Sequence, residues 1–295
     1  LLGGRFTRVA ADIGQFEDPA TGGAASYSQH WETGVGSVRI TCDLDREERF
    51  KTFAGISQSF RAPNLADLSR YGGSRSDEIE SAAIDLEPER FLTYEIGVKA
   101  QTELLSGQFS AYRTQISDFI TSTPTGREID GLREVTKQNS SEGYVQGIEL
   151  SLSYELGHGF SLFGGLSYVE GEADTFPIPG SDRAVREPLS RIQPLIGTGG
   201  IRWTAPSENW WLELSVLAAG RADRLNSGDK GDTQRIPPGG TPGYTVLDLH
   251  AGWDISENFS LYGGFENLTD EAYRVHGSGS NEPGFGGVIG VKASF

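Results

Sequence analysis

Apolar residues recur at every second position along most of this chain, and that period limits the fold more than any other feature. Val38, Ile40, Cys42 and Leu44 alternate with Ser37, Arg39, Thr41 and Asp43. Successive side chains of a β-strand point to opposite faces, so the run carries one apolar and one polar face. Leu92, Tyr94, Ile96, Val98 and Ala100 read the same way against Thr93, Glu95, Gly97 and Lys99. So do Ile148, Leu150, Leu152, Tyr154 and Leu156 against Gly147, Glu149, Ser151 and Ser153. The stretches from Leu247 to Ile255 and from Ile289 to Phe295 repeat the pattern. The spacing predicts about a dozen strands, near 1–14, 34–44, 49–61, 90–102, 106–121, 139–156, 159–172, 190–205, 209–222, 243–255, 258–273 and 285–295. Helical periodicity is scarce.

The connections alternate in length. Short ones fall at 45–48, 103–105, 157–158, 206–208 and 256–257. Long, polar, Gly- and Pro-rich ones run at 15–33, 62–89, 122–138, 173–189, 223–242 and 274–284. Such loops are unusual inside a compact domain. Outer-membrane barrels, by contrast, alternate short periplasmic turns with long external loops. The same seven-residue pattern follows three of the short turns, starting at Phe50, Phe160 and Phe259. Each copy has an aromatic at its fourth place (Phe53, Phe163, Tyr262) and glycine at its sixth (Gly55, Gly165, Gly264). The odd places are expected to face lipid, with an aromatic at the membrane boundary.

A soluble β-sandwich also alternates, but its strands run about 5–6 residues. Segments of the length seen here suit a tilted spanning strand of roughly 9–11 residues with extensions. The expected fold class is therefore all-β: a transmembrane antiparallel β-barrel wall of about 12 strands, with 1–295 as one domain. No run approaches the roughly 18 apolar residues of a spanning helix. With 41 acidic residues against 25 basic, the net charge is −16, and no nucleic-acid partner is expected, since phosphate binding needs clustered Lys and Arg. A single cysteine, Cys42, leaves no disulfide framework and no CxxC metal site. The 40 glycines, about twice the usual share of roughly 7%, call for turns or closely packed walls. Methionine is absent, so the chain is read as processed or as a fragment.

Several motifs carry a family resemblance. Glu266, Asn267, Leu268, Asp270 and Tyr273, followed by Pro283, Gly284 and a terminal Phe295, resemble the last strands of a TonB-dependent outer-membrane receptor. Phe60, Arg61, Ala62 and Pro63 resemble the Phe-Arg-Ala-Pro motif of that family's barrel. Leu86 to Glu89 ahead of Tyr94 to Lys99, and Asn139 with Gly147 to Glu149, resemble two further pieces in family order. The resemblance implies 12 strands of a presumed 22-stranded receptor barrel in the cell outer membrane, with an N-terminal plug, its TonB box and about ten strands missing. It further implies active uptake of a scarce small-molecule ligand, a ferric siderophore or similar metal chelate, with energy from the TonB complex acting on the absent plug. Haem receptors of the family place a histidine after Phe-Arg-Ala-Pro; residues 64–89 hold none, which disfavours haem. A passive porin-type channel and a soluble β-rich binding protein are the alternative readings.

Candidate residues follow from placement. Arg39, Glu95, Lys99, Glu149, Arg202 and Glu266 fall on the polar face, where they line the lumen or hydrate it. Arg61, Arg70, Tyr71, Arg75, Arg224, Lys230, Arg235 and His276 lie in or beside the long loops and are the ligand-binding candidates, since loops on a rigid scaffold commonly carry recognition. The four histidines show no metal-ligand spacing, and no Gly-x-Ser-x-Gly marks a nucleophile. Neither an enzyme nor a resident cofactor is expected.

Overall fold

The computed structural model describes residues 1–17, 22–73, 78–83, 85–177 and 183–294. In chain order the elements are β1 (Leu2–Glu17), β2 (Ala24–Asp43), β3 (Phe50–Arg61), α1 (Leu65–Ser69), β4 (Gly72–Gly73), β5 (Glu78–Ser81), β6 (Glu89–Gln101), β7 (Leu105–Ile129), β8 (Leu132–Gly157), β9 (Phe160–Thr175), β10 (Val185–Pro188), β11 (Ile196–Thr204), β12 (Trp210–Ala219), α2 (Ser227–Gly231), β13 (Tyr244–Ser256), β14 (Phe259–Glu266) and β15 (Gly286–Ala293). They form one sheet. Twelve strands run in sequence order through it, β1-β2-β3-β6-β7-β8-β9-β11-β12-β13-β14-β15, while β4, β5 and β10 pair on its flank. Each neighbouring pair on the path is antiparallel, so the wall is an up-and-down barrel sheet. Its two ends, β1 and β15, do not meet in this chain. No helix among the described residues is long and apolar enough to cross a membrane; the strands cross.

Register turns the alternation into two surfaces. One row across six strands reads Ile40, Ala54, Ile96, Ala111, Ile148 and Tyr168. All but half-buried Ala111 are exposed, Ile40 to 62% and Ile96 to 60%. Contiguous bare aliphatic surface of this extent marks a lipid contact. The adjacent row reads Arg39, Gly55, Glu95, Tyr112, Gly147 and Val169 and faces the lumen. Near the short turns the lipid face carries Phe160, Trp203, Trp210, Trp253 and Phe259, with Trp203 and Trp210 edge to face at 4.5 Å. That is an aromatic girdle at one membrane boundary.

The fourth place of the repeated hairpin has a role that the sequence did not reveal. Phe53, Phe163 and Tyr262 turn inward, each directly opposite a glycine: Gly97, Gly200 and Gly290. A Cβ on any of these glycines would strike the facing ring. Tyr112 with Gly147 and Trp211 with Gly252 repeat the arrangement. Glycine therefore lets an aromatic ring lie flat across the neighbouring strand on the inner face, and this absorbs part of the glycine excess.

Twelve strands match the predicted dozen, but several bounds moved. The predicted loop 122–138 is a hairpin, in which β7 continues to Ile129 and β8 starts at Leu132. Its two connecting residues, Asp130 and Gly131, both have positive φ (53° and 79°). Asp-Gly accepts that backbone cheaply, and its twist matches the flanking strands. Likewise β2 starts at Ala24 inside the predicted loop 15–33, β11 starts at Ile196 instead of 190, and β14 stops at Glu266.

Candidate functional site

The long connections leave the wall at the end opposite the aromatic girdle, and four of them fold into two fixed nests. The first is built on residues 62–89. Its apolar side is Leu68, Ala83 and Leu86, which pack with Trp31 and Ile120 and cover Val9, Ala11, Ile13 and Tyr27 on the inner face of β1 and β2. The Trp31 indole N–H donates to the Leu86 carbonyl at 2.8 Å. The segment thus folds back inside the wall because the inner face there is apolar and needs cover.

Arg61 clamps the base of this nest. Its guanidinium donates to both Glu89 oxygens at 2.6 and 2.8 Å and to Asp67 at 2.7 Å. Glu89 is 2% exposed and also accepts the Ile120 amide. This pairing raises the Arg61 pKa above its already high value, chiefly through the Glu89 hydrogen bonds. Asn64 and Asp67 cap α1 reciprocally in a capping box. Asn139 reaches over from β8: its amide accepts the Glu87 N–H and donates to the Glu87 and Asp118 carbonyls, all within 2.8 Å. β5 adds to the extended end of β8 in parallel, from Glu78 opposite Arg133 to Ser81 opposite Thr136.

The second nest joins 189–195, 220–243 and 267–285. Asn267 (φ 51°) receives the Glu271 amide and donates to the Glu271 and Pro283 carbonyls. Asp270 accepts the Phe285 amide, and a Cβ at Gly284 would run into that carboxylate. The Tyr273 ring packs against Tyr244 at a tilt of 40°, with ring centroids 4.5 Å apart. Asp229, buried in α2, accepts from the Ser190 hydroxyl at 2.6 Å and the Arg191 amide at 3.2 Å. His276 is buried, with Nδ1 2.8 Å from the Thr241 hydroxyl, while its carbonyl accepts from Gln193. Burial pushes its pKa below the ordinary value; Asp229 opposes this and Arg191 adds to it. Burial also works against ionisation of Asp232, but Arg235 and Arg191 outweigh it and hold that carboxyl low.

The candidate residues accordingly separate. Arg61 is tied to Glu89 and Asp67, Arg70 to Glu80 at 3.3 Å, and Arg235 to Asp232 at 3.1 Å. Arg224 leaves the loop end for the outer surface and pairs with Glu170 and Glu172. His276 is enclosed. Tyr71 and Lys230 remain exposed, and Lys230 makes no ion pair among the described residues. Arg75 and Phe295 lie outside the described residues. The motif residues Phe60 to Pro63, Asn267, Leu268, Asp270, Tyr273, Pro283 and Gly284 sit in or beside the anchors of the two nests. Along the lumen, Arg39 pairs with Glu95 at 2.9 Å and lies over Phe53. Lys99 also lies over Phe53. Arg202 pairs with Glu213 at 3.5 Å and covers Trp211. Glu266 is 4.0 Å from His250, and Glu149 stands exposed on the Ser110 rung.

Sequence reasoning missed the buried carboxylates Glu80, Glu89 and Glu134, at most 2% exposed. Glu134 takes Arg127 at 2.7 Å and the Thr125 hydroxyl at 2.5 Å. One Glu80 oxygen has no hydrogen-bond partner; Lys137 stands 3.7 Å away. The available signal was the mixing of both charge signs within single loops. Among the described residues, no His, Cys, Asp and Glu cluster is fit to hold a metal.

Comparison with known proteins places this architecture. The family model for the TonB dependent receptor-like β-barrel matches residues 1–268. The vitamin B12 transporter BtuB of Photobacterium profundum is 25% identical over 249 residues, 82% of this chain and 34% of the relative. The ferric enterobactin receptor PirA of Pseudomonas aeruginosa is 24% identical over 274 residues, 84% of this chain and 35% of the relative. The solved structure of the copper transporter OprC superposes on the whole chain with a TM-score of 0.75 at 21% identity, covering 45% of that protein. The chain thus spans about a third of the curated relatives it matches. With the open twelve-strand wall, the lipid face and the match over residues 1–268, the chain belongs to the TonB-dependent receptors, as β-barrel wall of the cell outer membrane.

Proposed function

We propose that the protein takes up a scarce metal chelate, a ferric siderophore or one similar, across the outer membrane. The carrying observation is that the long loops are folded on fixed anchors, one of them packed inside the wall. Recognition by loops works when the scaffold holds them in place at low entropic cost. Tyr71 and Lys230, both exposed, offer a ring and a cation to an anionic chelate. A plug upstream of this wall rearranges when TonB pulls on it, and ligand passes along the charge-lined lumen. No covalent step is involved. A receptor for ferric enterobactin among the relatives supports the ligand class, and the vitamin B12 transporter names the competing one.

The test is uptake by cells that lack their own receptors and express the full gene product, supplied with radiolabelled ferric catecholate, ferric hydroxamate or cobalamin. Uptake of a ferric chelate that disappears without TonB is the expected result. Cobalamin uptake alone overturns the ligand class. TonB-independent leakage of small solutes replaces the receptor by a passive channel.

A further inference from the structure

One row of inward side chains departs from the rest of the lumen. Arg39, Lys51 and Arg202 on the inner face each pair with a carboxylate: Arg39 with Glu95, Lys51 with Asp43 and Glu48, and Arg202 with Glu213. Lys99 is exposed and makes no ion pair and no hydrogen bond among the described residues. Its ammonium is held over the Phe53 ring instead, 5.6 Å from the centroid, and the Arg39 guanidinium covers the same ring at 4.6 Å. A ring fixes a cation without cancelling its charge. The Lys99 charge is therefore presented to the lumen, on a chain whose net charge is −16.

Register extends the row. From Lys99 the rung passes Gln108, Ser151, Gly165 and Thr198 to Leu217. On the other side it passes Lys51 to Asp43. Asp43 ends β2 at a short turn, whereas Leu217 lies just before the end of β12, where a long connection begins. Strands of a barrel wall are tilted, so a rung perpendicular to them climbs the wall from one rim to the other. Between Lys99 and Leu217 the rung carries no carboxylate; Glu149 faces the lumen one rung nearer the loops. The Gln108, Ser151 and Thr198 side chains make no hydrogen bond among the described residues, so an amide and two hydroxyls stand free to donate. With Lys51 and Lys99 they line a concavity of about 620 Å³.

We propose, resting on the uptake reading above, that Lys99, Gln108, Ser151 and Thr198 form a station inside the lumen for an anion rich in acceptor oxygens, which the chelate occupies in passage after leaving the loops. Lys99 supplies the attraction. The amide and hydroxyls supply donors along the climb of the rung, where a carboxylate would repel an anion. These residues act on transport and not on capture, because they lie on the wall and outside both loop nests.

The experiment uses cells that lack their own receptors and express the full gene product, with a radiolabelled ferric tricatecholate, a trianion, as probe. Surface binding is measured in de-energised cells and uptake in energised ones, at matched amounts of receptor in the outer membrane. An exposed charge contact is worth up to about fivefold in an equilibrium. Lys99→Gln is expected to lower the maximal uptake rate by about fivefold, with the surface dissociation constant as in wild type. Lys99→Arg keeps the rate, and Glu149→Gln raises it. Thr198→Val, on another strand, provides a second readout if Lys99→Gln is poorly assembled; loss of one hydrogen-bond donor is expected to slow uptake about threefold. Unchanged uptake rates in Lys99→Gln and Thr198→Val overturn the station and leave the uptake reading standing. So does wild-type uptake of a neutral ferric hydroxamate without any of the tricatecholate, whereas uptake of neither chelate overturns the uptake reading as well. A loss of surface binding equal to the loss of rate makes Lys99 part of capture, and TonB-independent entry of a large antibiotic makes it a contact that holds the plug; either result overturns the station.

Discussion

Gly97→Ala tests the inner face most directly. The Phe53 ring is 3% exposed and lies across Gly97 on the adjacent strand. A Cβ at position 97 would sit 2.5 Å from the Phe109 carbonyl oxygen, 2.7 Å from Phe53 Cε1 and closer still to Phe53 Cζ. The ring has nowhere to retreat without uncovering Arg39, which stacks on it at 4.6 Å, and the carbonyl belongs to the wall itself. Overpacking of this kind costs about 1–3 kcal/mol. Gly34→Ala is the control: it also lies in a strand, but nothing stands within 4 Å of its Cβ position, and the expected change is within about 0.5 kcal/mol. The assay is urea unfolding of the full-length protein in detergent, followed by heat-modifiable gel migration. In a Phe53→Ala background the ring contribution vanishes while the Phe109 carbonyl contact remains, so the Gly97→Ala penalty should shrink without disappearing. Equal midpoints for Gly97→Ala and Gly34→Ala would refute the claim that glycine is there to seat the ring.

The other predictions concern the nests. Arg61→Ala leaves Glu89 buried without its cation; because Arg61 itself is 39% exposed, the expected cost is about 2 kcal/mol, below that of a fully buried pair, read as faster proteolysis within residues 62–89. Asn139→Asp removes the amide donor and sets a carboxylate against the Glu87 and Asp118 carbonyls, so the same cleavage should accelerate with no change in wall strands by infrared spectroscopy. For His276 the folded-state pKa is lowered by burial, so the unfolded segment binds more protons and stability rises with pH. The contribution of neutral His276 is complete above its ordinary value near 6.5 and is lost as pH falls below it. Protection of the 267–285 amides from exchange should drop on acidification, and His276→Gln should flatten that dependence.

The strands were legible in the sequence because lipid on one side and water on the other impose a strict period of two, and that period needs no knowledge of neighbours. The alternation of Val38, Ile40 and Cys42 with Arg39 and Thr41 already implied both surfaces. The motifs also identified the family, yet not their own purpose. Arg61 read as a ligand contact, whereas its partners Glu89 and Asp67 are brought to it by chain reversal through α1. Asn267, Asp270 and Gly284 likewise make sense only once residues 267–285 close on themselves.

What the sequence determined by itself is therefore the wall: an all-β membrane sheet of twelve strands with an apolar outside, since each strand's facing depends only on its own residues and the solvent. Tertiary structure alone decided the rest. Register across strands set which glycine lies under which ring, because that depends on residues far apart in sequence, as with Phe53 and Gly97. It also decided that loop charges such as Glu89 and Asp229 are buried and paired, and that Arg224 serves the outer surface and not the loop mouth. Charge pairing is a matter of distance in space, and a one-dimensional pattern carries the sign of each charge without the position of its partner.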